Sequence, residues 1–318
     1  MPSEETIGQA APLVVKGSAL ATAREILLTM RPRQWTKNLI ILLALPFTVN
    51  QYWHLSEISA IGRMVGYSLA AFAIFCLLSG AVYVINDLVD IQKDRLHPLK
   101  RRRPLASGRL RKPAAVAALA ALLLVSLPGA FLLNWMLGGV ALFYFTIMLS
   151  YSFLLKHLVL VDVLTISVGF VLRAVAGAVA ISVPISPWLY VCTILLALFL
   201  ALGKRRHELI LLEGAAGRHR QILEEYSAQL LEQMIVLVGA ATVMAYSLYT
   251  FSAENVPKNS AMMLTIPFVL YGIFRYLYLI HMKNQGGSPE EMLLRDRPMV
   301  VNIVLWLASC GAILLVFR

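Results

Sequence analysis

The most chemically loaded stretch of the 318-residue chain begins at Asn86 and runs through Asp87, Asp90, Lys93, Asp94, Arg95, His97 and Pro98 to the basic run Lys100-Arg101-Arg102-Arg103 before Pro104. If a helix continues through its first half, Asp87, Asp90 and Asp94 stand at i, i+3 and i+7. At about 100° per residue that spacing puts three carboxylates on one narrow face. Three stacked charges repel unless a cation neutralises them. Hard oxygen ligands presented this way suit Mg²⁺, which takes one or two carboxylates, several waters and the oxygens of a substrate phosphate. The competing reading is that the acids pair with the Lys and Arg just downstream, and that Lys100–Arg103 only fixes topology. Acids and amides at a membrane helix end are costly to keep without use, which favours the metal reading.

The elements that position these residues follow from composition. The chain is 59% hydrophobic and only 14% charged, against roughly 25% charged in soluble domains. A soluble globular domain is ruled out. Runs of about 20 apolar residues occur at 38–53, 65–85, 113–133, 137–155, 158–180, 187–203, 230–251, 262–281 and 299–317. The sequence therefore predicts an all-α integral membrane protein of nine transmembrane helices. The first run, interrupted by Pro46 and followed by Asn50 and Gln51, is the weakest.

Charge distribution supports nine. With the N-terminus inside, all 28 Lys and Arg fall in cytoplasmic segments except Arg63, Lys258 and Arg318 outside and Arg173 and Arg275 within spans. Lys16, Arg218 and Arg220 belong to the inside set. The expected placement is the inner membrane, with the N-terminus cytoplasmic and the C-terminus outside. Residues 1–30 read as a polar tail ending in a surface helix over 19–30, with no cleavable signal visible, and 31–318 as one membrane domain. Cys76, Cys192 and Cys310 each lie within an apolar run, so no disulfide framework or spaced metal site is legible. The net charge of +11 sits between spans and is not a nucleic-acid signal; it faces membrane lipids and anionic substrates.

Asn86, Asp87, Asp90 and Asp94, placed after the second span, match N-D-x-x-D-x-x-x-D, the first signature of the UbiA superfamily of intramembrane prenyltransferases, which the chain resembles. Members that prenylate aromatic rings carry a second aspartate-rich motif after span six. Here that loop reads Gly203-Lys204-Arg205-Arg206-His207-Glu208. This exchange is similar to the decaprenyl-phosphate phosphoribosyltransferase branch. So are Arg31-Pro32-Arg33-Gln34-Trp35-Thr36-Lys37-Asn38, the His97-Pro98 to Gly108 segment, and Pro289-Glu290-Glu291 through Asp296-Arg297-Pro298.

The resemblance implies Mg²⁺-dependent transfer of 5-phosphoribose from phosphoribosyl pyrophosphate to a polyprenyl (decaprenyl-type) phosphate. Diphosphate leaves with inversion, in a UbiA-like bundle whose cavity opens to the cytoplasm. It implies Asp87, Asp90 and Asp94 as catalytic metal ligands, Asn86 beside them, and Lys37, Lys100, Arg103, Lys204 and Arg205 as phosphate contacts. An attacking oxygen that already belongs to a phosphate needs no strong general base, so positioning and charge stabilisation carry the catalysis. Arg forks suit phosphate oxygens.

Arg173, inside an apolar run, is expected to point to a polar cavity. Lys156 and Asp162 could bind substrate or form an ion pair, and Glu208 could hold an Arg or contact the ribose. Ser288-Pro289-Glu290-Glu291 reads as a capping box opening a short interfacial helix, and Gly169 and Gly177 as close-packing positions. A homo-oligomer is left open. The competing functions are prenyl transfer to a small acceptor, which leaves the missing second acidic motif unexplained, and a transporter, for which polarity should spread through both membrane halves.

Overall fold

A computed structural model describes residues 19–54, 56–98, 100–184, 186–213, 225–283 and 286–317. The expectations on the tail 1–18 and on Lys16, Arg218, Arg220 and Arg318 lie outside them. All regular elements among the described residues are helical. A short helix α1 (Ala19–Thr29) precedes a 3₁₀ helix (Pro32–Leu43) that runs directly into α2 (Ala44–Thr48). Then follow α3 (Ile58–Val89), α4 (Ile91–Leu96), α5 (Lys112–Leu133), α6 (Trp135–Phe153), α7 (Val161–Ala180), α8 (Pro187–Glu213), α9 (Ala228–Ser252), α10 (Ile266–Met282), α11 (Pro289–Arg295) and α12 (Arg297–Phe317).

Eight helices among the described residues are long and apolar enough to cross a membrane. The first of the nine predicted spans takes another form: a 12-residue 3₁₀ helix followed by a five-residue α-helix. Pro32 opens it with its missing N–H and Pro46 sits in the short α-helix, so an uninterrupted i→i−4 ladder does not form. At about 2.0 Å per 3₁₀ residue and about 1.5 Å per α residue the segment still extends about 30 Å. It packs between α3 and α7, and α2 meets α12, the last helix of the bundle.

Consecutive spans are neighbours from α3 to α12, so they alternate in direction. This gathers the ends of α3, α6, α8 and α10 with the starts of α5, α7, α9 and α12 on one face. Burial separates centre from rim: 56% and 61% of the apolar windows of α3 and α7 are buried inside the protein, against 11% for α5 and α12. Side chains of α5 and α12 such as Leu132 and Val316 face outward instead. Close approach is set by glycine at one position above all. A Cβ on Gly177 of α7 would lie 2.1 Å from the Ile41 carbonyl oxygen, so the 3₁₀ segment rests backbone to backbone on α7. Gly169, whose Cβ would come within 3.1 Å of Met148 Cε, is likewise a packing position.

Candidate active site

Helix α3 does not continue unbroken through the aspartates. It ends at Val89, Asp90 bends at φ −92°, ψ 9°, and α4 starts at Ile91. The hydrogen bonds Asp90 N–H to Asn86 O (2.9 Å) and Asp94 N–H to Asp90 O (2.8 Å) bridge the bend, so helical phase is nearly kept. Asp87 and Asp94 are both buried and converge. One nitrogen of Arg103, Nη1, lies 3.2 Å from Asp87 Oδ1 and 2.7 Å from Asp94 Oδ2. Arg31 Nη2 adds a second bond to Asp87 Oδ1 at 2.5 Å.

Asp90 departs from the single face expected of all three acids. Its carboxylate meets Lys156 instead, whose Nζ is 3.6 Å away. Among the described residues no three acidic, histidine or cysteine side chains form a metal-ligating group. The pair Asp87 and Asp94 nevertheless fits a divalent cation: two hard carboxylates within reach of one positively charged atom, the number Mg²⁺ commonly takes from protein. In the structure, guanidinium groups supply that charge, as in the competing reading of the sequence.

The loop that carries Arg103 is tied down by its neighbours. Arg95 Nε donates to Ala106 O (3.2 Å), Arg109 Nη2 to Arg102 O (2.8 Å), and Ser107 N–H to Arg103 O (2.9 Å). Gly108 takes φ +80°, the left-handed region that favours glycine. Arg109 also pairs with Glu25 of α1, which seats α1 over the loop. Lys100 is exposed, its backbone N–H bonded to His97 Nδ1 at 3.3 Å. Lys37 Nζ and the Tyr83 hydroxyl both donate to Gln34 Oε1, at 3.2 and 2.6 Å. The Arg31 guanidinium lies 4.7 Å above the Tyr83 ring. Arg31, Gln34, Lys37 and Tyr83 therefore join the aspartate cluster. Asn86 sits in the last turn of α3, partly buried.

A second cluster lies at the start of α7. Asp162 is fully buried and Arg205 nearly so. Arg205 Nε donates to Asp162 Oδ2 at 2.7 Å, Nη1 to Glu208 Oε2, and Nη2 to the Tyr151 hydroxyl at 3.4 Å. Asp162 Oδ1 accepts from its neighbour Val163 N–H (2.8 Å) and from Tyr226 Oη (3.1 Å), which in turn accepts from Leu160 N–H (2.7 Å). The Asp162 carboxylate also sits in the first turn of α7, where the helix dipole favours it. Every arm of the Arg205 fork is thus occupied by protein in the structure. Asp162 pairs with Arg205 rather than with Lys156, whose Nζ meets Asp90, and Glu208 holds the neighbouring Arg205. Burial pushes the Tyr226 hydroxyl above its usual range. Lys204 is partly buried one residue before Arg205.

Arg173 faces the protein interior. Its Nε donates to Asn38 Oδ1 (2.7 Å), Nη1 to Gly169 O (3.0 Å) and Nη2 to the Tyr144 hydroxyl (2.6 Å), with the guanidinium 4.8 Å from the Tyr144 ring centre. Asn38 donates in turn to Cys76 Sγ and Ser79 Oγ, both at 3.3 Å. Arg173 therefore pins the 3₁₀ segment to α7 and α3 through neutral partners, rather than opening on the aspartate cluster.

Helix α11 begins at Pro289 as expected, yet Ser288 makes no side-chain cap bond; its carbonyl accepts the Glu291 N–H at 3.0 Å. A polar cavity of about 490 Å³ beside α11 is lined by His207, Gly287, Ser288, Glu291, Arg295 and Asp296. Asp296 is held by both nitrogens of an Arg275 fork at 2.8 and 2.9 Å, and that fork keeps its carboxyl below the usual carboxylate range.

Sequence reasoning placed Arg31 only within a motif and did not single out Asn38, Tyr144, Tyr151 or Tyr226. For Arg31 the signal was available: an arginine two residues from Arg33, before a proline that ends α1. The tyrosines carry no local signal, because their partners lie 29 to 64 positions away in the sequence and meet them only in the fold.

The chain is 34% identical over 302 residues to the decaprenyl-phosphate phosphoribosyltransferase of Mycolicibacterium smegmatis, covering 89% of this chain and 90% of that protein. It is 33% identical over 291 residues to the protein of the same name from Mycobacterium tuberculosis, covering 89% and 92%. A UbiA homolog from Archaeoglobus fulgidus, solved bound to GPP and Mg²⁺, superposes with a TM-score of 0.68 over 92% of this chain and 100% of that one, at 20% identity, and so shares the fold. The sequence pattern of the UbiA prenyltransferase family matches residues 59–295, about three-quarters of the length and the whole span from α3 to α11. This all-helical membrane protein, with its buried aspartate pair at the end of α3, belongs to the UbiA prenyltransferase family.

Proposed function

We propose that the chain transfers 5-phosphoribose from phosphoribosyl pyrophosphate to a polyprenyl phosphate in the membrane, releasing diphosphate. The observation that carries this reading is the likeness, over about nine-tenths of both chains, to proteins named decaprenyl-phosphate phosphoribosyltransferase. The site geometry supports it. Asp87 and Asp94 present hard oxygens beside the cations Arg31 and Arg103, with Lys37 close by. That mixture suits a donor with a diphosphate and a 5-phosphate and an acceptor with a further phosphate.

Asp87 and Asp94 would hold Mg²⁺, which would neutralise charge on the leaving diphosphate, and Asp90 would have to leave Lys156 to join them. Arg31, Arg103 and Lys37 orient the phosphates, and Lys100 and Lys204 extend the basic rim. The attacking oxygen is an anionic phosphate oxygen, so no side chain has to remove a proton; near-attack positioning and charge stabilisation account for the rate. Polarity concentrated at one end of the bundle supports a one-sided enzyme. By the positive-inside rule that end faces the cytoplasm of the inner membrane, with the N-terminus on the same side and the C-terminus opposite.

The test is transfer of label from ribose-labelled phosphoribosyl pyrophosphate to polyprenyl phosphate by purified protein in detergent, with Mg²⁺ or EDTA, beside Asp87→Asn. A labelled lipid that needs both the metal and Asp87 is expected. No labelled lipid, from protein that consumes a prenyl diphosphate when given an aromatic acceptor, moves the reaction to prenyl transfer.

A further inference from the structure

The ends of α3 and α4 carry a local charge balance made by the protein alone. Two buried carboxylates, Asp87 and Asp94, meet two guanidiniums, Arg31 and Arg103, through three short ion pairs. The carboxylates are fixed on helix ends. The guanidiniums sit at the tips of long side chains and are 24% and 27% exposed. A dication arriving alone at Asp87 and Asp94 takes the partners of both arginines. It thereby gathers its own charge and two guanidiniums with no added anion, in a place where water screens little. A dication arriving with a polyphosphate removes that penalty. The freed forks then meet phosphate oxygens, for which their planar donors are suited.

We propose that Arg31 and Arg103 are positioning counter-cations that couple metal binding to polyphosphate binding. Each ligand binds weakly alone, and the two bind strongly together. Arg31 is prepared for the exchange: it stacks on Tyr83, and its left-handed backbone (φ 55°) ahead of Pro32 aims it at Asp87. The inference rests on the reading of the aspartates as metal ligands, but it concerns binding rather than turnover.

The test uses the full chain in detergent, Mn²⁺ as the metal and inorganic pyrophosphate as the anion. Equilibrium dialysis at matched free Mn²⁺ is read with Asp87→Asn protein as the blank. Pyrophosphate is expected to tighten Mn²⁺ binding about tenfold or more, and Mn²⁺ to tighten labelled pyrophosphate by the same factor, as linkage requires. Arg103→Gln is expected to bind Mn²⁺ alone several-fold more tightly than the unmodified protein while its coupling factor falls toward one; Arg103→Lys should keep most of the coupling. Melting temperature checks the fold of each variant, and Arg31→Gln carries the same test if Arg103→Gln does not fold.

Equal Mn²⁺ affinity with and without pyrophosphate in the unmodified protein overturns the proposal, as does weaker Mn²⁺ binding by a folded Arg103→Gln. Asp87→Asn protein that binds Mn²⁺ like the unmodified chain overturns both the metal reading and the coupling. Intact coupling without phosphoribosyl transfer overturns the assigned reaction alone.

Discussion

Substituting Arg205 decides between two roles for the basic segment after the sixth predicted span, which the structure winds into the last turns of α8. The sequence makes Arg205 a phosphate contact; the structure makes it the centre of a buried ion pair. Its side chain is 3% exposed and that of Asp162 0%. Removing one partner of a buried pair typically costs about 3–5 kcal/mol, because the other charge is left uncompensated. Arg205→Gln leaves two carboxylates, Asp162 and Glu208, facing each other and belongs at the upper end. Asp162→Asn leaves Arg205 still paired with Glu208, and the carboxamide oxygen can still accept from Tyr226 and Val163, so about 2 kcal/mol is expected.

In the double variant the stranded charge of each single variant is relieved. Its cost should fall short of the sum by about 2 kcal/mol, within the range that touching residues show. At about 2 °C per kcal/mol for a chain of this size, Arg205→Gln should lower the melting temperature by about 8–10 °C and Asp162→Asn by about 4 °C. Fluorescence-monitored unfolding in detergent gives all four corners of the cycle, with phosphoribosyl transfer measured on the same samples below their midpoints. A folded Arg205→Gln that melts within about 2 °C of the unmodified protein yet has lost transfer refutes the structural assignment and restores the phosphate contact.

Gly177→Ala should be severely destabilising. Its Cβ meets the Ile41 carbonyl at 2.1 Å, and a backbone oxygen cannot step aside like a side-chain tip, so a loss of about 3 kcal/mol or more is expected, read as a fall in folded yield on size exclusion. The acid limb of stability carries a signature of Asp296. Its carboxyl is held below the ordinary range by Arg275, so the stabilisation is present above the unfolded value of about 3.9 and is lost as pH falls through the depressed folded value. Asp296→Asn should flatten the pH dependence of melting below about pH 4; an unchanged limb would show that the pair contributes nothing there.

The sequence by itself determined the class of protein and made a cluster of carboxylates at one helix end visible. Long apolar runs can only be membrane helices, and carboxylates placed at the end of one are visible without any fold. It also anticipated the tight packing at Gly169 and Gly177 and the short helix opening at Pro289. Tertiary structure decided which charges meet. Local spacing put Asp90 with Asp87 and Asp94, but in the fold its carboxylate pairs with Lys156, in the 3₁₀ turn Leu155–His157 after α6. The resemblance made Arg205 a phosphate contact and its apolar run made Arg173 cavity-facing, but Asp162 is 43 positions from Arg205 and Asn38 is 135 from Arg173, separations that periodicity cannot register. The first apolar run reads as one more span because hydropathy measures transfer from water and is blind to helix type. Proline geometry and the backbone contact with α7 wind it as a 3₁₀ segment instead. Apolar burial is written residue by residue along the chain, whereas the pairing of buried charges depends on which helices become neighbours.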